Sequence, residues 1–416
     1  MGFRLVRVAR YYQKYAEELS KTKKYNDFGS YKEQLDCILS DCYHWSDFMS
    51  EALNELGLEC HEIISNVQPL QQCWLKENSP TQKNHLNEQE IVLMQIRSLN
   101  PDILFLFDWS EKFGPEFVKT CRESCKNLKL VVGWCGEAHP TSTYFSQHDM
   151  VLSCAKDTVE YFVNHGLKSY QMHHAFSPKV LESIDATTNS TSKNGFGFIG
   201  SAIYGGNFHL SRAELFLKLS ETFNFTIYGE ISNITEDALD YGSPISQYLR
   251  KAYGVTGMLL AIIGLASLRN SLPAQKILKT YQKQKKYKPI FEALSHLAQP
   301  PVFGLEMYRK LSSFLVCLNA HGPSKFSSNM RMFEVTGIGT CLLTDSKPNL
   351  GELFEADHEV VTYSSEDECA EKIDYLSRYP EKALQIAEAG KRRVLKQHTF
   401  NNRASVFLEY LQKNIS

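Results

Sequence analysis

This sequence has almost no excess of either positive or negative charge. Its 416 residues hold 45 Lys plus Arg against 47 Asp plus Glu, a formal charge of −2. No chain-wide basic field exists, which excludes nucleic acid as the default partner. Paired cysteines are lacking too: the eleven Cys are odd in number and no Cys-x-x-Cys occurs. Several stand inside apolar runs, as Cys317 does between Val316 and Leu318. Such cysteines are small core hydrophobes of a reducing compartment, not a disulfide framework. No Asp-x-Asp pair and no His/Cys cluster offers ligands to a divalent ion. Apolar runs of the roughly 20 residues a spanning helix needs are also missing. The opening Met1–Val8 is charged where a secretory leader has an apolar core. Position 6 is Val, not the Ser or Thr of a myristoylation pattern. These absences predict a cytoplasmic protein, and make the sequons at Asn189, Asn224 and Asn233 coincidental.

What is present is a twice-repeated alternation of strand and helix. Phe3 to Val8, Leu58 to Ile64, Ile103 to Phe107, Leu128 to Trp134, Met150 to Cys154 and Tyr170 to Phe176 are apolar strand-like runs. Between them, apolar spacing predicts helices over 31–56, ended by Gly57, and over 87–99, opened by the capping pair Asn87 and Glu90. Strands that are continuous apolar runs, separated by helices, indicate a parallel sheet covered on both faces. The alternation restarts at Gly197, with capping pairs expected at Ser211/Glu214, Asn349/Glu352 and Ser365/Glu368. The expected organisation is an N-terminal Rossmann-like domain over 1–178 and a linker over 179–194. A C-terminal Rossmann-like domain follows over 195–390, then a helix over 391–416 that crosses back to the first domain. Two such α/β domains in series set two strand-end crevices face to face.

The chemistry-bearing block is 319–345. It follows a buried strand, so Asn319 lies at that strand's carboxyl end. The helix from Asn329 carries Arg331 and Glu334 three apart, on one face. Serines 327 and 328 can cap it. A helix N-terminus with nearby cations holds a diphosphate without a metal, and Glu334 can accept two hydroxyl hydrogen bonds from a ribose. The same spacing also suits a plain surface ion pair. In the first domain, Asp108 ends a strand, and Glu137 and His139 sit in the loop after the next strand. Each is placed to orient or deprotonate an acceptor hydroxyl, and each also suits an ordinary loop. The aromatic residues Tyr11, Tyr12, Trp45, Trp74, Trp109 and Trp134 can stack on sugars, with core packing as the simpler role.

Residues 304–322, 329–345, 350–363 and 389–403 resemble the CgeB-like glycosyltransferases, a branch of the GT-B glycosyltransferases. The resemblance extends back through 195–201 and, more loosely, through the first domain. It implies a GT-B fold of two facing Rossmann-like domains. It also implies transfer of a sugar from a nucleotide diphosphate sugar, UDP-linked, to a hydroxyl of a glycan, protein or small-molecule acceptor. No cofactor or metal is implied beyond that co-substrate. Asn329, Arg331 and Glu334 match the branch's Asn-x-Arg-x-Phe-Glu pattern. The Glu that many GT-B enzymes place eight residues before Glu334 is Phe326 here, and the relatives' Gly-Arg after the first donor strand is Gly200-Ser201. The diphosphate's cation must then come from Arg212, Lys325 or Arg331. The donor set implied is Gly200, Ser201, Arg212, Asn319, Lys325, Asn329, Arg331, Glu334, Gly339 and Thr340. The broken Glu pair keeps an alternative open: a catalytically silent GT-B-like protein that binds a sugar nucleotide or glycan in an assembly.

One segment allows a second location. The apolar stretch 255–268 adjoins lysines at 276, 279, 283, 285, 286 and 288. An apolar face beside a basic patch can dock peripherally on the inner face of a membrane through 255–288. The competing placement packs the stretch within the donor domain.

Overall fold

The computed structural model describes residues 2–22, 29–79, 86–107, 110–136, 141–185, 193–204, 210–233, 264, 290–322, 324–327 and 329–415. In the N-terminal half, six parallel strands form one sheet. They are β1 (Arg4–Ala9), β2 (Glu59–Ile64), β3 (Ile103–Phe107), β4 (Leu130–Cys135), β5 (Met150–Ser153) and β6 (Ser169–Gln171), in the order β2-β1-β3-β4-β5-β6. All five residues of β3 are buried, as expected of a central strand covered on both faces. The C-terminal half brings β7 (Phe196–Ile199), β8 (Ala202–Tyr204), β9 (Phe225–Tyr228), β10 (Ile231–Asn233), β11 (Ala298–Gln299), β12 (Val316–Asn319), β13 (Cys341–Asp345) and β14 (Val361–Tyr363). Its main sheet runs β11-β9-β7-β12-β13-β14, all parallel, while β8 pairs with β10 in a small second sheet.

Each main sheet reverses its strand order once. The reversal lies between β1 and β3 in the first sheet and between β7 and β12 in the second. Helical crossovers leave opposite faces at such a point, so a crevice opens over the strands' carboxyl ends. The crevice of the second sheet is therefore framed by Ile199-Gly200 and by Asn319-Ala320. The run Gly195 to Gly200 has the spacing of a dinucleotide-binding glycine fingerprint, but most of it is strand β7 itself. A fingerprint lies after a strand, at the opening of a helix.

Several local expectations hold. Asn87 accepts from the backbone N–H of Glu90 in a full capping box, and Ser365 accepts from that of Glu368. Gly57 turns at φ +90°. Others do not. The helix expected over 31–56 is two helices, Tyr31–Leu39 and Phe48–Glu55, separated by a loop. The first seven residues of the expected linker are the helix Lys179–Asp185. Val180 and Ile184 in it are buried in the core, and Lys179 pairs with Glu51 at 2.6 Å and Asp47 at 3.4 Å. Tertiary packing orders a stretch with no strong periodicity of its own. The helix expected to open at Ser211 begins at Leu210.

The last helix, Phe400–Asn414, lies on the N-terminal half. Phe400 packs on Trp45 and Phe48, and Phe407 on Phe105, with ring centroids 5.2–5.5 Å apart. Arg403 Nε donates to the carbonyls of His173 and His174, both at 3.2 Å. Tyr410 stacks on Tyr170 at 4.5 Å and donates to Gln171 O. One apolar cluster thus runs from Trp45 and Phe105 through Phe400 to Phe333 and Leu342, across both halves.

Candidate functional site

A cleft of about 290 Å³ lies where the two halves meet. Its C-terminal wall is made by Gly200, Ser201, Gly229, Glu230, Arg331 and Glu334, and its N-terminal wall by Tyr12, Tyr43 and His44. The floor depends on glycine. A Cβ on Gly229 would stand 1.7 Å from the carbonyl oxygen of Gly200, so no side chain is tolerated where β7 and β9 deliver the chain into the cleft. Two contacts draw the walls together. Tyr12 donates its hydroxyl to Glu230 Oε2 at 2.8 Å, and Lys14 pairs with Glu230 Oε1 at 2.9 Å.

The helix Met330–Gly337 carries the central pair. Arg331 Nη1 meets Glu334 Oε2 at 2.8 Å, and the Glu334 side chain is 3% exposed. Tyr308 donates to Glu334 Oε1 at 3.4 Å. Burial pushes the Glu334 carboxyl up from its ordinary value, with Arg331 and the Tyr308 hydrogen bond opposing that shift. Arg331 also points a second contact at Met307 Sδ, 2.9 Å away. The pair is a half-enclosed feature of the cleft wall, not an exposed surface bridge.

The helix's N-terminus is free. Asn329 is its N-cap residue but makes no side-chain cap: its Nδ2 donates to Asn319 Oδ1 at 2.7 Å, and its Oδ1 has no partner among the described residues. Ser327 is not a cap either: its Oγ has no partner among the described residues, while Asn349 accepts from its N–H at 2.7 Å and donates to its carbonyl at 2.8 Å. That stitch also explains why Asn349 does not cap its own helix, Leu350–Leu353. Ser328 lies outside the described residues. The first turn's N–H groups are therefore available to an anion.

A polar network backs this end. Asn319 Nδ2 donates to Thr344 Oγ1 at 3.0 Å. His321 Nδ1 meets Asp345 Oδ1 at 2.7 Å, and the His321 N–H donates to the same oxygen at 2.9 Å. Lys347 reaches Asp345 Oδ2 at 3.2 Å. Burial pushes the Asp345 carboxyl up, but His321 and Lys347 outweigh it and hold the group below its ordinary value. Arg212 is 7% exposed and donates to Ser201 O at 3.3 Å. Burial lowers its guanidinium to about 10, with Asp345 opposing.

The structure thus brings together Gly200, Ser201, Arg331 and Glu334 in the cleft, with Arg212, Asn319 and Asn329 behind and beside it. Lys325 is exposed and lies over the Phe326 ring at 5.1 Å. Gly339 and Thr340 belong elsewhere. They precede β13 at its amino end, a strand's length from Asp345, and Lys193 donates to Gly339 O and to Thr340 Oγ1. Asp108, Glu137 and His139 lie outside the described residues, as does Trp109. Among the aromatic candidates, Tyr11, Trp45, Trp74 and Trp134 are buried, and only Tyr12 is exposed at the cleft.

Sequence spacing did not single out Tyr43, His44, Glu230 or the His321–Asp345 dyad. The dyad had a signal: Asn319 and Thr344 are register partners, so residues just past them, on adjacent parallel strands, must meet. His44 had none, because its loop carries helical spacing.

Residues 212–409 match the model of the family described as Glycosyl transferase-like, so the half that carries Glu334 is glycosyltransferase-like. No curated protein matches the chain. Solved structures do. Sucrose-phosphate synthase from Thermosynechococcus elongatus is 10% identical, with a TM-score of 0.52, over 99% of this chain and 98% of that one. HepE from Anabaena, solved with UDP-glucose, is 9% identical, with a TM-score of 0.51, over 99% of this chain and 100% of that one. AviGT4, a glycosyltransferase of avilamycin A biosynthesis, is 11% identical, with a TM-score of 0.51, over 99% and 98%. The shared feature is the GT-B fold of two parallel-sheet domains.

Proposed function

We propose that this protein is a glycosyltransferase that moves a sugar from a nucleoside diphosphate sugar, UDP-linked, to an acceptor hydroxyl, without a bound metal. The observation that carries the reading is the half-enclosed Arg331–Glu334 pair beside an uncapped helix N-terminus, at the strand-order reversal of the second sheet. Glu334 takes the ribose hydroxyls. The helix N-terminus, with Arg331 on the cleft wall and Arg212 behind Ser201, meets the charge that develops on the leaving diphosphate. Aimed donors of this kind need no reorganisation as that charge forms, and a closed cleft makes each one count for more. The likeness to a structure that holds UDP-glucose supports UDP as the nucleotide. The CgeB-like pattern at Asn329, Arg331 and Glu334 supports that branch.

Incubation with UDP-, GDP-, dTDP- and ADP-sugars in EDTA, with free nucleoside diphosphate as readout, tests the reading. Release from a UDP-sugar is expected, slow with water as acceptor and faster with the true acceptor. Binding without release from any donor points to the silent binding protein instead. Release that needs Mn²⁺ or Mg²⁺ places the protein in another mechanism class.

A further inference from the structure

The loop between the helices Tyr31–Leu39 and Phe48–Glu55 has an unusual backbone. Cys42, His44 and Ser46 stand at φ +56°, +57° and +41°. None is glycine, and a side chain with a Cβ is unfavourable in this left-handed region. Strain of this kind persists only where surrounding structure enforces it, and it gathers at functional sites. The enforcement is visible. Cys42, Trp45 and Ser46 are at most 1% exposed. Arg7 donates to the Ser46 carbonyl, Ser46 Oγ donates to Leu39 O at 2.6 Å, and Trp45 Nε1 donates to His174 Nδ1 at 3.0 Å. What the loop gains is direction: Trp45 and Cys42 enter the core, while Tyr43 and His44 line the cleft opposite Arg331 and Glu334.

The His44 ring is held by shape alone. Phe107 stands edge-on to it at 5.4 Å, His174 at 6.4 Å and 88°, and Tyr43 at 6.0 Å. No described residue hydrogen-bonds its nitrogens, so its proton-accepting capacity is unspent. The charged and titratable groups around it are Arg7 from β1, His174 from the segment after β6, Tyr43 from its own loop, and Arg331 and Glu334 across the cleft. Burial, then Arg7, lowers the imidazole to about 4, so the ring is neutral at pH 7.

We propose that His44 is the catalytic base of sugar transfer, an inference that rests on the glycosyltransferase reading. The acceptor's oxygen forms the new bond to the sugar's anomeric carbon. Its hydroxyl proton passes to a ring nitrogen of His44. The bond from that carbon to the diphosphate oxygen breaks, and its electron pair leaves on the diphosphate at the opposite wall. The negative diphosphate favours the protonated ring and so strengthens the base as the reaction proceeds.

The test uses UDP-glucose with water as acceptor and the full-length chain. His44→Asn suits the backbone, since Asn tolerates this conformation. Its kcat for UDP release should fall at least about 100-fold, with KM for UDP-glucose and the UDP-induced rise in Tm unchanged. His44→Gly, also at ease at positive φ, leaves a ring-sized gap. Added imidazole should restore release there, and pyrazole, of the same size but barely basic, should not. Equal rescue by both, or wild-type kcat in His44→Asn, overturns the role of His44 while leaving the transferase reading intact. No release by the wild-type protein from any sugar nucleotide removes the transferase reading and the role together.

Discussion

The two walls of the cleft are made by opposite means. The C-terminal wall, the donor wall of the proposal, uses regular structure: strand ends of β7 and β12 and the first turn of one helix, with polar side chains tied to one another. The N-terminal wall, its proposed acceptor side, uses irregular structure: a loop with three strained residues, held by Arg7 and His174 from behind. A helix end supplies oriented N–H groups without strain, which suits a diphosphate common to many donors. A loop can be re-aimed without disturbing a sheet, which suits acceptors that differ. The comparison also separates charge. The C-terminal wall holds the charged side chains Arg331, Glu334 and Glu230, whereas Tyr12, Tyr43 and the neutral His44 ring make the N-terminal wall.

Breaking the support of the acceptor wall should have the largest effect. Arg7 and Glu62 form a pair whose side chains are 2% and 5% exposed, and Arg7 also holds the Ser46 carbonyl. Arg7→Ala leaves a buried carboxylate alone and should cost about 3–5 kcal/mol in urea unfolding. A loss within 1 kcal/mol would mean that the strained loop does not depend on this pair.

Acid should act on the same half. Burial lowers His148 to about 3 and His173 to about 4, and His44 stands at about 4. The unfolded chain takes these protons near pH 6.5, so it binds more protons than the folded chain between there and about 4. Stability is full above that window and falls as pH drops through it, by up to about 1.4 kcal/mol per pH unit for each histidine. Among the described residues neither ring nitrogen of His148 has a hydrogen-bond partner. His148→Leu should flatten the slope of stability against pH; an unchanged slope contradicts the assignment.

On the donor wall the expected effect is smaller. Glu334→Ala should weaken UDP binding by roughly 1–3 kcal/mol, the scale of a lost hydrogen bond to a charged group, as read by calorimetric titration. Wild-type affinity with the fold intact would remove the ribose role.

The two halves differed in how far the sequence disclosed them. Buried strands such as Ile103 to Phe107 and Val316 to Asn319 announce themselves as apolar runs, and the capping pairs at Asn87 and Ser365 are local. Glu334 was legible because helix spacing and a family pattern agree there. The loop at 40–47 was hidden by its own core residues. Ile38, Cys42, Trp45 and Met49 are all buried at steps of four, three and four. That is helical spacing on a backbone that is not helical. What bends it is Arg7, 39 residues away, and His174, 129 away, and no local propensity carries such information. Asn349 misled in the same way, since its side chain is spent on Ser327 and not on its own helix. Gly339 and Thr340 follow the family pattern closely in sequence, yet the strand that begins there carries the chain to the crevice only at its far end.

The smallest expected effect concerns the segment 255–288, which apart from Gly264 lies outside the described residues. Among the described residues no helix is long and apolar enough to cross a membrane. We propose peripheral contact as a test of whether the donor half has a second surface. Each lysine near an anionic bilayer adds about 1 kcal/mol at most, and salt screens it. Flotation with phosphatidylserine vesicles that is lost at high salt supports docking. Protein that stays in the soluble fraction at low salt leaves the segment to the donor domain.

The central claim is that the donor wall, and not the acceptor wall, holds the nucleotide. Amide hydrogen exchange with and without UDP reads this directly. UDP should slow exchange across 319–337 and at 200–201, with little change in the loop at 40–47. Protection confined to the N-terminal half, or none at 319–337 under saturating UDP, would contradict the account.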